Sequence, residues 1–301
     1  MIHITNTAWA AETYASYATI NNPIVFYQSF LRPQDISATT YVEDRPAINL
    51  WNPDTASKWQ SSSTVGGGTI VSQFYITLAN STALKPNYIA ICGHNLHEDM
   101  WGVRIEASSN GGATWSVHVP EVTITTPEPI VFFFNEAATS AFIFRIRIYK
   151  TKSAGSGISV IPAAIISHIK MGRPLVLYRR IFSSFDPAIT KKAKLIQNKS
   201  ENGQYLGQVV LSTYREPSDI EQKNQPYEFV RNEVVPFLNH CNGQPRFTNT
   251  AAGTFVLAWR PAKHPAELIY CWVREIKYPA NETGNSVGGY MSWGVSVDAS
   301  V

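Results

Sequence analysis

His94, His97 and Asp99, in the run His-Asn-Leu-His-Glu-Asp, have the spacing closest to a metal site in this chain. Histidines three apart on a loop can share an ion, but Zn2+ takes three or four ligands and the sequence names no others. Asn52, Asp54 and Thr55 place oxygen donors in a proline-containing loop, the raw material of a structural Ca2+ site. A hard cation wants several carboxylate and carbonyl oxygens, and this loop has a single carboxylate. Asp54 can equally cap its own turn. Catalytic patterns are missing: there is no GxSxG, HExxH, P-loop or GxGxxG. Gly66, Gly67 and Gly68 lack the lysine of a phosphate cradle and read as a flexible loop. Acidic residues sit singly on turns and edges, so no pair can be nominated at the roughly 5 to 9.5 Å that glycoside cleavage needs. A protein without enzymatic activity is expected, with recognition as its chemistry.

The elements that must position such residues are mostly strands. Thr69 to Leu78 and Val103 to Ser108 alternate in polarity, and Asn87 to Cys92 is continuously apolar, as a strand buried on both faces would be. Phe142 to Tyr149 (FIFRIRIY) puts Arg145 and Arg147 on one face and Phe144, Ile146 and Ile148 on the other. Ser109-Asn110-Gly111-Gly112 is a turn with Trp115 to Val119 returning from it. Further on, Tyr227, Val230, Val234, Phe237, Leu238 and Cys241 mark one apolar helix face, which Pro236 should bend or shorten. Gly253 to Trp259, Ala266 to Tyr278 and Met291 to Val297 read as extended. The fold class expected is mainly β: an antiparallel jelly-roll β-sandwich followed by a smaller α+β domain, a sheet plus one helix. The division is residues 1–45 as an arm with the first strands, 40–170 as the sandwich and 171–301 as an assembly domain.

Composition agrees with this. The chain has 301 residues, 44% of them hydrophobic and only 16% charged, against about 25% charged in an ordinary soluble domain. Disorder and charge-rich coiled coils are excluded. A net charge of +3 is too small to imply nucleic acid. Cys92, Cys241 and Cys271 form no disulfide framework and no CxxC knuckle. No signal peptide or membrane-spanning run is read.

The run from Asn49 to Ser61, with Trp51 and Trp59, resembles the early loop of discoidin-like, galactose-binding-like jelly rolls. The strand Gln73-Phe74-Tyr75-Ile76, the hairpin from Tyr88 through His94 and Asn95 to Ser108, and the closing strands Phe144–Ile148 and Ile165–Ile169 extend the likeness over about residues 40 to 170. Such jelly rolls bind at loops on one end of the barrel. The resemblance therefore implies ligand contacts from Trp51, Asp54, Trp59, His94, Asn95, His97 and Trp101, with Trp115 as a further candidate. A ring would stack on the sugar and the polar groups would meet its hydroxyls. The competing reading plugs the sandwich end with Trp51 and Trp59 and pairs Trp101 with Trp115 across the hairpin.

Phe255 to Pro261, Glu267 to Trp272 and Gly289 to Val295 are similar to segments of tailed-bacteriophage virion proteins of the tail tip or distal tail. That likeness implies a structural component of the tail, made in the host cytoplasm and carried in the virion. It also implies other virion proteins as partners, a homo-oligomer in a ring or fibre-attachment complex, and contact with a host-surface glycan. A basic strip past residue 171, with Arg173, Arg179, Arg180, Lys191, Lys192 and Lys194, would contact an acidic partner or form a solvated edge. No cofactor is expected beyond a structural Ca2+ in the sandwich. The alternative is a free carbohydrate-binding module.

Overall fold

The computed structural model describes residues 2–4, 22–54, 56–80, 85–134, 143–181, 192–214, 217–243, 253–281 and 289–299. The expected class holds: a β-sandwich is followed by a smaller sheet carrying a helix. The inner sheet of the sandwich runs β1 (Ile2–Ile4), β9 (Ile130–Phe133), β6 (Tyr88–His94), β11 (Ile165–Gly172) and β4 (Trp59–Gln60), with only β1 parallel to its neighbour. The outer sheet runs β3 (Ile36–Ala38), β5 (Thr64–Ala79), β10 (Ile143–Ile161), β7 (Gly102–Ser108) and β8 (Ser116–Thr123). A third sheet runs β12 (Leu175–Val176), β2 (Ile24–Phe26), β16 (Thr254–Ala258), β17 (Leu268–Asn281), β18 (Tyr290–Ala299) and β15 (Ser218–Pro226).

Period-two alternation explains how the layers stack. On β6, Ile89 and Ile91 point into the core shared with the outer sheet, while Tyr88, Ala90 and Cys92 point into a second core. On β9, Ile130 and Phe132 divide from Val131 and Phe133 in the same way. The second core is closed by Ile24 and Phe26 of β2 and by Val256, Ala258, Leu268 and Tyr270 of the third sheet. Phe26 meets Tyr88 edge-on at 4.9 Å between ring centroids. The opposite faces of these strands, with Val25, Phe255, Leu257, Ile269 and Cys271, build a third core under the helix. The order of layers is therefore outer sheet, inner sheet, third sheet, helix. Gly172 marks the closest approach of backbones between them: a Cβ there would stand 2.6 Å from the Gln28 carbonyl oxygen.

The helix α1 (residues 227–241) follows the predicted apolar face. Phe229, Val230, Val234, Phe237 and Leu238 are buried against the third sheet. Pro236 neither ends nor shortens it. The helix is α-helical over Tyr227–Phe229 and Val235–Cys241 and widens to a π-turn over Val230–Val234, where the Val235 N–H donates to the Val230 carbonyl. The wider turn absorbs the proline just before its missing donor would break the ladder.

One expectation changes and two features are added. The first strands expected within residues 1–45 are β1 and β3 of the sandwich and β2 of the third sheet. Gly66 to Gly68 belong to strand β5, where Gly66 pairs with Ser159 and Gly67 with Ile158, so no loop is free there. A ribbon of β13 (Lys192–Lys199) and β14 (Tyr205–Tyr214) stands apart from the three sheets, with every residue of β13 exposed. Its content of Leu, Ile and Val alternates too weakly with polar residues to single it out as an element with no covered face.

The interface between inner and third sheets also holds charge. Lys170 of β11 is 1% exposed and donates to the Thr254 carbonyl at 2.8 Å. The same oxygen lies 3.0 Å from His240 Nε2, and His168 Nδ1 lies 3.0 Å from the Leu50 carbonyl. Burial lowers the Lys170 ammonium to about 8, and it lowers His168 to about 3 and His240 to about 4. For the lysine, the unfolded chain holds a proton between pH 8 and 10.5 that the folded chain has released, so stability rises across that window. Lys170→Met should raise the unfolding free energy at pH 7 by roughly 1 to 3 kcal/mol and remove that rise, as chemical denaturation at pH 7 and 10 will show. For the histidines, below 6.5 the unfolded chain takes up protons that the folded chain refuses. Stability therefore falls with pH, by on the order of 2 kcal/mol per histidine at pH 5. His240→Asn should flatten part of that fall in thermal melts between pH 7 and 4.5.

Candidate functional site

The loop from Asn49 to Ser61 closes on itself. Asn49 Nδ2 donates to the Lys58 carbonyl at 2.9 Å, Asn52 Oδ1 accepts from the Asp54 N–H and Asp54 Oδ1 from the Ala56 N–H. Asp54 thus caps its own turn, and Thr55 lies outside the described residues. The expected Ca2+ loop has its one carboxylate committed to backbone. Trp59 is fully buried, with its indole N–H on the Thr40 carbonyl at 3.0 Å. Trp101 is also in the core, its ring 5.7 Å from that of Phe74, and Trp51 packs partly buried against the same core. These tryptophans plug the sandwich end, so Trp59 and Trp101 offer no face to a sugar. Tyr270 of the third sheet donates to the Pro53 carbonyl at 3.2 Å and ties the loop to that sheet.

The histidine cluster is likewise structural. His94 is 8% exposed, with Nε2 3.0 Å from the Glu128 carbonyl, and burial lowers it to about 4. His97 meets it edge-on at 6.1 Å. Asn95 clamps the chain entering β11, donating to the Ala163 carbonyl and accepting from the Ile165 N–H. Among the described residues no group of three or more His, Cys, Asp and Glu could hold a metal ion. Of the basic strip, Arg173 Nε donates to the Lys85 carbonyl, Arg179, Arg180, Lys192 and Lys194 are exposed, and Lys191 lies outside the described residues.

The structure assembles a different surface. Both faces of the inner sheet and of the third sheet are covered, whereas the outer sheet is packed on one face only. Strand alternation sends Phe74, Ile76, Ile105, Phe144, Ile146 and Ile148 inward. Their neighbours Gln73, Tyr75, Arg104, Glu106, Arg145, Arg147 and Tyr149 must face outward. The register then sets them side by side: Arg147 lies opposite Tyr75 and Arg104, Arg145 opposite Glu106, and Tyr149 opposite Gln73 and Gly102. The Arg145 guanidinium sits 4.3 Å from the Tyr75 ring centroid and 4.1 Å from that of Trp115, on the turn before β8. Arg147 lies over Tyr149 at 5.1 Å and donates twice to Gln73 Oε1, at 3.0 and 2.6 Å. Gly102 makes room for Tyr149, since a Cβ there would stand 2.7 Å from its ring.

Glu106 is the anchor of this face. Its side chain is 3% exposed and takes Arg104 on one oxygen and Arg145 on the other. Burial pushes its carboxyl up, and hydrogen bonds and charge from Arg145 and Arg104 outweigh that, leaving it below the ordinary value. Tyr149 is held above its ordinary value by its hydrogen bond to Glu121. The result is a flat lattice of rings, guanidinium N–H groups and amides, with its geometry set before any ligand arrives. Beforehand, only the Arg145 and Arg147 face and Trp115 as a candidate were legible. Tyr75, Glu106 and Trp115 come from three other segments, and no local pattern announces their meeting.

No protein-family model matches the chain, and no curated protein matches it. Solved structures share part of the fold. A family 32 carbohydrate-binding module of Clostridium perfringens in complex with galactose has 19% identity over 50% of this chain and 98% of its own, with a TM-score of 0.34. A pectin-binding carbohydrate-binding module has 13% identity over 48% of this chain and 93% of its own, with a TM-score of 0.35. Chitosan-binding module 1 from a chitosanase/glucanase of Paenibacillus sp. IK-5 has 12% identity over 48% of this chain and 99% of its own, with a TM-score of 0.34. Likeness at this level assigns no ligand. The expected kinship with phage tail proteins finds no support in these comparisons and is withdrawn. The reason is physical: Phe255 to Pro261, Glu267 to Trp272 and Gly289 to Val295, which carried that kinship, are the paired strands β16, β17 and β18 with the turn between the first two. They encode sheet pairing, not a place in a particle. The virion location, the virion partners and the ring or fibre-attachment oligomer lose their support with it. No described helix is long and apolar enough to cross a membrane.

Glu106→Gln should cost about 2 kcal/mol in urea unfolding at pH 7, because two guanidiniums then share a neutral amide. A native carboxyl held below its unfolded value stabilises above that value and loses the contribution as pH falls through the folded one. The difference between Glu106→Gln and the parent should therefore shrink in acid.

Proposed function

We propose that this chain is a non-catalytic carbohydrate-binding protein whose ligand lies on the outer face of the outer sheet. The observation that carries the reading is the Tyr75–Arg145–Trp115 stack, fixed from beneath by Glu106. Saccharides present C–H patches that pack on aromatic rings and hydroxyl pairs that accept from fork-shaped donors. The lattice supplies both: Tyr75 and Trp115 are half-buried rings, and the Arg145 and Arg147 guanidiniums bring donors in a plane. Because Arg145 is held by two rings and a carboxylate, little side-chain entropy remains to be lost on binding. In this reading residues 40–170 present the ligand surface and residues 171–301 back the sandwich from its other side.

The test is a glycan array with the full chain, followed by calorimetry on the best neutral glycan. Trp115→Ala should weaken binding about tenfold or more, with circular dichroism and melting unchanged, since Trp115 lies at the surface. Trp59→Ala should instead lower stability by roughly 3 to 5 kcal/mol. Glycan binding that survives Trp115→Ala and Arg145→Met at full strength would overturn the placement, and an array with no signal would overturn the function.

A further inference from the structure

A cavity of about 460 Å3 opens on the third sheet and is lined by Arg180, Arg260, Ala262 and Lys263. Its volume falls in the range of about 300 to 1,000 Å3 usual for small-ligand sites. Among the described residues that line it, Arg180, Arg260 and Lys263 are cations, and none of them is in an ion pair or a side-chain hydrogen bond with another described residue. Three like charges around one cleft repel each other unless an anion joins them.

The backbone that carries these cations is held in place, and so is the Arg260 guanidinium. Arg260, Ala262 and Lys263 belong to the turn between β16 and β17, which is closed by the His264 N–H on the Arg260 carbonyl at 2.8 Å. The Arg260 guanidinium lies 4.7 Å from the Trp259 ring centroid. Trp259 stacks on His264 at 4.9 Å with 15° between planes and donates its indole N–H to Glu267 Oε2 at 2.8 Å. The other Glu267 oxygen takes His264 Nδ1 at 3.0 Å. The Glu267 carboxylate is thus occupied by the scaffold and turned to bracing Trp259. Across the cleft, the backbone of Arg180 is anchored by Gln222, which is 1% exposed and donates to the Arg180 carbonyl at 3.3 Å.

The geometry points to this cleft as a second saccharide subsite, specific for the anionic substituent of an acidic glycan, a uronate carboxylate or a sulfate ester. Two guanidiniums and an ammonium match the oxygens of such a group, and arginine engages it in a fork. The inference rests on the carbohydrate-binding reading but uses none of the outer-sheet residues.

Calorimetry on the full chain tests it with three probes: a tri-galacturonate, a sulfated heparin hexasaccharide and a neutral galacto-oligosaccharide. The acidic probe that binds should lose affinity about tenfold or more in Arg260→Met/Lys263→Met and, separately, in Arg180→Met, and should weaken with added salt. Which of the two acidic probes responds separates carboxylate from sulfate. The neutral probe should respond to Trp115→Ala and not to the cleft variants. Acidic binding that is untouched by the cleft variants, or binding of neutral glycans alone, overturns the subsite and leaves the outer-sheet proposal standing. Cleft-dependent acidic binding with no neutral binding supports the subsite and overturns the outer-sheet proposal. Equal competition by free sulfate at matched concentration overturns the glycan assignment of the cleft. Silence from all three probes overturns both.

Discussion

The burial of the inner sheet on both faces is the constraint on which the rest of this molecule depends. Every second side chain of β6 and β9 belongs to a different core, so neither face can carry a polar site without opening one of them. The third sheet and its helix exist as a lid on that sheet. Strand β2, from the N-terminal part of the chain, is woven into the lid beside β16. A chain that closes a sandwich with one layer and caps it with another commits the apolar residues of those layers inward, while the β13–β14 ribbon leaves its own exposed.

Among the described residues no element packs on the far side of the outer sheet, and its outward residues form a cross-strand lattice in place of a solvated charge pattern. The turn between β16 and β17, on the third sheet, gathers cations about a cleft. Both places share a construction: an arginine laid on an aromatic ring, with a carboxylate spent on fixing the scaffold. At the first that carboxylate, Glu106, is buried, and at the second it is Glu267, which is partly exposed.

Much of the fold was legible. Alternation in FIFRIRIY placed β10 and named the Arg145 and Arg147 face. The continuous apolar run to Cys92 signalled a strand covered twice, although what covered it was unreadable. The apolar stripe from Tyr227 to Cys241 marked the helix, although Tyr227 itself is exposed and Pro236 does not shorten it, because a π-turn can absorb a proline. The site was far less legible. Trp59, Trp101 and His94 have the residue types of a sugar site, but residue type does not distinguish an aromatic platform from a core plug. Only packing decides that, and here it buries all three.

The sequence by itself determined the class of structure and the side each strand residue would take, since those follow from periodicity over a few neighbours. Register and layer order were decided only in three dimensions. Tyr75, Glu106, Trp115 and Arg145 are distant along the chain and meet because β5, β10 and β7 pair at one particular offset. Arg180 reaches Arg260 and Lys263 because the third sheet folds back over the second core. Those placements are properties of long-range hydrogen-bond registry and of which apolar faces meet, and neither is written in any short stretch of residues.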